Sequence, residues 1–330
     1  MTGRDRHVGD FGPGARPVEW VLGVYLCLTA ALFLCGIGRL SHALPIGLAH
    51  LVGVVILVAL ARRGSTMPRA AGLLRRIMPL AIAPVFYLEI GALNDLIWEG
   101  RAFDAWIVGV ERGLFGADVS QVFVRAWPWG WWSELVHAGY ASYYALPLAL
   151  FVVLALRRQW ADLEWSLTVL AFTFTSCQIW FVLLPVEGPY HVFGPLDPPA
   201  PGGVAPPIVN AIVAAGSSVG TAFPSSHVAV AVAVLACARK THRPTGRVMA
   251  VLVTLLAVGT VYGGFHYLVD TLAGVVWGMV SYALGARLHW WLDRRCRTVR
   301  STPSRATDVS AARSERADRS RRAVPGSPPA

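Results

Sequence analysis

The sequence predicts an all-α membrane protein with about eight transmembrane helices. Three observations carry that reading. Of the 330 residues 55% are hydrophobic and only 15% charged, the mean hydropathy is +0.52, and the apolar residues fall into long runs separated by short charged loops. A hydrocarbon core requires about 20 apolar residues per spanning helix, and soluble domains of this size are far more polar.

Along the chain, residues 1–19 read as a polar cytoplasmic arm, followed by expected spans at 20–38 and 43–61. The first run is full length and lacks a small-residue cleavage site, so it reads as a retained span and not as a signal peptide. Further spans are expected at 77–98, 135–156, 165–184, 223–238, 248–261 and 267–289. The 99–131 segment alternates charges with Phe103, Trp106, Ile107, Val110 and Leu114 at helical spacing, predicting an amphipathic helix on the outer surface, with Trp127, Trp129, Trp131 and Trp132 in the interface belt. A second outer loop, 185–221, is rich in Pro and Gly, as binding loops often are. Residues 297–330 read as a disordered basic cytoplasmic tail able to meet anionic membrane lipids.

The net charge of +10 does not point to nucleic acid, because the positive residues are sorted by side. In an eight-span arrangement 25 of the 29 Lys and Arg lie on one side, leaving Arg39, Arg101, Arg112 and Arg125 on the other. The positive-inside rule then places both termini in the cytoplasm of a multi-pass plasma-membrane protein. Cys27, Cys35, Cys177, Cys237 and Cys296 show no CxxC spacing, which suggests neither a disulfide framework nor a zinc site.

Two motifs carry chemistry. Ala222-Phe223-Pro224-Ser225-Ser226-His227 opens the sixth span. Proline favours a helix's first turn, and the following amides, the helix dipole and the Ser225 and Ser226 hydroxyls together suit an anion such as phosphate. Tyr262-Gly263-Gly264-Phe265-His266-Tyr267-Leu268-Val269-Asp270 opens the eighth. Its i to i+4 spacing puts His266 and Asp270 on one helix face, where the carboxylate can fix the imidazole tautomer and leave the other nitrogen free to attack. Both motifs fall at the outer ends of their helices.

PSSH followed by GxHxxxD resembles the type 2 phosphatidic acid phosphatase (PAP2) superfamily, over roughly residues 77–290. The resemblance implies a six-helix core in 77–290, two extra N-terminal helices in 20–61, and a phospholipid or lipid phosphate substrate. It also implies catalytic roles: His227 as general acid, His266 as the nucleophile on phosphorus, and Asp270 orienting His266. The departures matter as much. Ser226 stands where the hydrolases usually have glycine, Thr260 stands where they carry a phosphate-gripping arginine, and their first motif, a Lys or Arg with a later Arg-Pro pair, is absent before PSSH. Together with RAFDAWIVGVERGLFG, these departures are similar to the branch containing inositol phosphorylceramide synthase and sphingomyelin synthase, implying phospho-headgroup transfer between lipids. A phosphodiester carries less charge than a monoester and needs fewer cationic partners. The scheme requires no metal or other cofactor.

Other polar residues are weaker candidates. Glu89, Asn94 and Asp95 are acids and an amide within or at the outer end of a span, where such groups mark function or pairing. Arg101 is their expected partner, and Asp95 and Arg101 are expected to bind substrate, against a purely structural role. His137, Tyr140 and Tyr144 share a face of the fourth span that either lines a lipid cleft or packs between helices. Tyr190 and His191 occupy the place of the missing first motif and are expected to touch the headgroup, against a simple loop turn. The competing readings are a lipid phosphate phosphatase, a metal site built from His227, His266 and Asp270, a transporter using Glu89 and Asp95, and an intramembrane serine protease using Ser225 or Ser226.

Overall fold

The computed structural model describes residues 14–63, 67–196 and 199–301, with side chains through Arg295. Among them the secondary structure is helical apart from one isolated bridge between Val186 and Thr221. Residues 1–13 and 302–330, which hold most of the expected arm and tail, lie outside the described residues.

Helices α1 (Pro17–Cys35) and α2 (Ala43–Arg62) form a hairpin, and α1 also packs along α9 (Trp160–Leu183). The arm expected over 1–19 ends sooner than anticipated, because Arg16 and Glu19 are buried in an ion network. Glu19 accepts from Arg75 Nε and Nη2 at 2.7 and 2.8 Å, while Glu164 takes Arg16 at 3.1 Å and also Arg76. Arg16 contributes once more. Pro79 inside α3 (Arg69–Leu88) lacks the amide that would bond the Arg75 carbonyl, and Arg16 Nη2 donates to that carbonyl at 3.0 Å.

The expected third span lies within one apolar segment, Arg69–Trp98, in which α3 gives way to α4 (Ile90–Trp98) at Glu89. Glu89 does not pair with Arg101. Its Oε1 accepts from Tyr25 at 3.0 Å and its Oε2 lies 2.8 Å from His50 Nε2, joining the core to both N-terminal helices.

The amphipathic stretch becomes two short helices, α5 (Asp104–Phe115) and α6 (Val119–Ala126). The inward face of the first takes acids as well as apolar residues. Asp104, Ile107 and Glu111 point inward, at 7%, 0% and 0% exposure, while Trp106 and Leu114 are 56% and 67% exposed. The fourth span is bent. α7 (Gly130–Ala141) and α8 (Leu146–Leu156) belong to segments meeting at 56°, and Pro147, which has no amide to give the preceding turn, sits in the first turn of α8.

After α9 come the short α10 (Pro189–Val192) and α11 (Ala205–Gly216), then α12 (Ser226–Thr241), α13 (Arg243–Tyr262) and α14 (Leu268–Ser301). Helix α14 continues well past the expected end at 289. Helix α12 is the centre, packed by α8, α9, α13 and α14 with Val228, Ala229, Ala233, Val234 and Cys237 fully buried. The approach of α14 depends on Gly274 and Gly278, where a Cβ would stand 2.7 Å from the carbonyl oxygens of Ser225 and Ala229 respectively. Small residues four apart let two backbones meet this closely.

Among the described residues six segments are long and apolar enough to cross a membrane, seven if the bent α7–α8 pair counts as one span. The sixth expected span, 223–238, corresponds to α12, which has only 16 residues.

Candidate active site

The site is built at one end of α12, α13 and α14. Ser225 caps α12, its Oγ accepting from Val228 N at 3.4 Å. Pro224 therefore precedes the cap and does not occupy the helix's first turn as expected. The cap is tied to α14, since Ser225 N donates to the Asp270 carbonyl at 3.0 Å. His227 is the second residue of α12 and stands between two tyrosines. The Tyr140 ring stacks on it with centroids 5.3 Å apart and the Tyr143 ring lies at 4.4 Å, with Tyr140 Oη 3.4 Å from Nε2. Its Nδ1 has no hydrogen-bond partner.

His266 is not on the helix that carries Asp270, as the spacing suggested, but in the turn between α13 and α14. The Thr260 carbonyl holds that turn by accepting from Phe265 N at 3.0 Å and His266 N at 3.1 Å, and Thr260 Oγ1 meets Thr271 Oγ1 at 2.9 Å. The residue standing where the hydrolases place an arginine is thus a buried structural clamp. Asp270 Oδ2 accepts from Tyr267 N at 3.0 Å and faces His266 Nδ1 at 3.6 Å, within ion-pair range but longer than a hydrogen bond. Burial lowers the His266 imidazole to about 4, against a hydrogen bond with the Ala222 backbone that acts in the other direction. The ring is accordingly neutral at physiological pH, the state in which imidazole nitrogen attacks.

The centroids of His227 and His266 lie 5.8 Å apart. His227 and Ser226 also line a cavity of about 680 Å³. It runs past Tyr87, Tyr140, Tyr143 and Tyr144 to the apolar Leu22, Leu80 and Leu167, so its wall includes the first N-terminal helix.

The sequence-derived candidates separate clearly. His227, His266 and Asp270 come together, Ser226 lines the cavity beside His227, and Ser225 acts as the cap. Tyr190 lies beside them, packed in a cluster with Tyr140 and Phe265. His191 is exposed with its ring against Tyr190, and Asp95 and Arg101 are exposed at and just beyond α4; none of the four lines the cavity. Tyr140 and Tyr144 line it as the helical face suggested, whereas His137 turns to Tyr262 and Phe265. Tyr143 and Tyr87 were missed, because the bend at Pro147 and the approach of α3 are not readable from periodicity. Among the described residues no group of His, Cys, Asp and Glu is placed to hold a metal ion.

Long apolar helices surrounding a paired imidazole and a carboxylate define a class of helical membrane enzymes working on phosphoryl groups. The comparison with family models agrees: the model of the PAP2 superfamily matches residues 105–284, more than half of the chain, and the protein belongs to that superfamily. Its members are phosphatases or phosphotransferases acting on lipid phosphates, and this chain is an enzyme of that kind. No curated protein and no solved structure matches it. Helices α1 to α4 precede the matched region.

Proposed function

We propose that the protein is an integral membrane lipid phosphotransferase, similar to inositol phosphorylceramide synthase, that moves a phospho-headgroup through a phosphohistidine on His266. The observation that carries this reading is the His227–His266 pair with Asp270 behind it, His227 lining a largely apolar cavity that has no Arg or Lys among its lining residues. In the first half-reaction a nitrogen of His266 bonds to phosphorus, the donor's P–O bond breaks, and His227 gives its proton to the leaving oxygen. In the second, His227 takes the proton of an acceptor hydroxyl, whose oxygen bonds to phosphorus as the P–N bond breaks. Asp270 stabilises the charge that develops on His266.

A cavity lined by tyrosines and aliphatic residues favours a singly charged phosphodiester over a dianionic monoester, because little is available to neutralise the second charge. The buried Thr260 supports the same preference. We place the site at the outer face of the plasma membrane with both termini cytoplasmic, and count α12 and the bent α7–α8 pair as spans, giving eight. The sorted basic residues support this orientation. Arg16, Arg75 and Arg76 are paired with Glu19 and Glu164, but acidic partners contribute little to topology.

The test uses purified protein in liposomes with a radiolabelled phospholipid panel, product separation, and the His227→Ala and His266→Ala variants. A new phospholipid formed only when a hydroxyl acceptor is added is the expected result. Release of phosphate or a phosphorylated headgroup without acceptor would make the protein a phosphatase, and activity unaffected by either variant would remove the site altogether.

A further inference from the structure

Surface helix α5 turns its acids inward, and both reach the catalytic turn. Asp104 Oδ2 accepts from Glu187 N at 2.8 Å, and its Oδ1 accepts from Gly188 N at 2.9 Å and from the Tyr267 hydroxyl at 3.2 Å. One helical turn pair further on, Glu111 Oε2 accepts from Val269 N at 3.2 Å and its Oε1 from Val119 N at 3.0 Å. Tyr267 follows His266, and its own amide holds the Asp270 oxygen that faces His266. Val269 immediately precedes Asp270. Gly188, at φ 92°, is seated where a Cβ would lie 3.1 Å from Ala222 Cβ and 3.2 Å from the Phe265 carbonyl, so the loop Asp104 fixes also braces both catalytic motifs.

Burying two carboxylates is costly unless their oxygens are used. Here they are used on backbone amides of the turn and of the adjoining loop, where neutral residues would serve if only apolar packing were required. Burial raises the Glu111 pKa, opposed by the Val269 and Val119 amides. Burial and then the Asp104 charge also raise the Tyr267 phenol, which stays a hydrogen-bond donor.

Resting on the proposed phosphotransfer, we propose that Asp104 and Glu111 are positioning residues that lock the His266–Asp270 turn from outside the bundle. They touch no reacting atom. Their role is to hold the nucleophile's ring and its carboxylate in register with His227.

The experiment compares Glu111→Gln, Asp104→Asn and Tyr267→Phe with Arg112→Ala, which removes an exposed ion pair to Asp118 on the same helix. Steady-state kinetics with a phosphodiester lipid donor and thermal unfolding in detergent are measured for each. Glu111→Gln and Asp104→Asn are expected to lower kcat roughly 10- to 100-fold, the scale of a small misplacement at the reacting centre, with KM within about twofold of wild type. Tyr267→Phe, which removes one hydroxyl, is expected to lower kcat less and to unfold at the wild-type temperature, and it decides the matter if the carboxamide variants are unstable. Glu111→Asp, too short to reach both amides, should not restore kcat. The inference is overturned if Tyr267→Phe and the folded carboxamide variants keep wild-type kcat while His266→Ala is dead. If His266→Ala is itself fully active, the phosphotransfer reading fails instead.

Discussion

Among the described residues two buried histidine–carboxylate pairs stand out, and they differ in what is left over. At the seam of α1, α2 and α3, His50 Nε2 meets Glu89 at 2.8 Å and its Nδ1 meets Thr29 Oγ1 at 2.8 Å, while the other Glu89 oxygen takes the Tyr25 hydroxyl. Both nitrogens and both oxygens are used. At the other pair, His266 Nδ1 stands 3.6 Å from Asp270, and Asp270 Oδ1 has no hydrogen-bond partner. A saturated pair holds helices together, because removing any member leaves a buried polar group unpaired. An unsaturated one, beside a second imidazole and a cavity, keeps capacity for a reacting group.

The largest effects should separate these two pairs. His266→Ala and His227→Ala should reduce transfer to background, and Asp270→Asn should lower kcat by about 1,000-fold or more, as for an orienting carboxylate elsewhere. His50→Ala should keep kcat within about twofold of wild type in the same assay. Equal losses in His50→Ala and His266→Ala would erase the distinction.

Packing around the active pair should show next. Gly274→Val brings a side chain against the Ser225 carbonyl and Val228, and overpacking of this kind costs about 3 kcal/mol, measurable as a lowered midpoint in detergent melting together with lost activity. His50→Ala should destabilise by about 2 kcal/mol without loss of chemistry, the scale of an unpaired buried polar group between membrane helices. Thr260→Val, which removes the hydroxyl's bonds to the Ala257 carbonyl and to Thr271, should cost about 1 kcal/mol, and activity should fall little because the carbonyl that holds His266 remains. A large gain of phosphatase activity in Thr260→Arg would contradict the assignment of Thr260 as a structural clamp.

The comparison also shows what the chain reveals unaided. His227, His266 and Asp270 were legible because their spacing within short motifs is local. Long apolar runs likewise announced the helices, since periodicity and length act within a single segment. Glu89 was recognised as an unusual intramembrane acid, but its partners His50 and Tyr25 come from helices 39 and 64 positions away, a pairing only packing decides. Asp104 and Glu111 stand seven residues apart on one helical face, and that spacing was the available signal. The bend before Pro147 went unread because hydropathy does not register a bend, although the proline and its missing amide are visible in the chain.

The most direct test of the central claim is covalent trapping. Purified protein is mixed briefly with phospholipids radiolabelled at phosphorus, without acceptor, then quenched and examined for label bound to the chain. The account predicts an acid-labile, base-stable phosphoprotein in wild type that is absent in His266→Ala and is consumed when a hydroxyl acceptor is added. Label that persists unchanged in His266→Ala would contradict it.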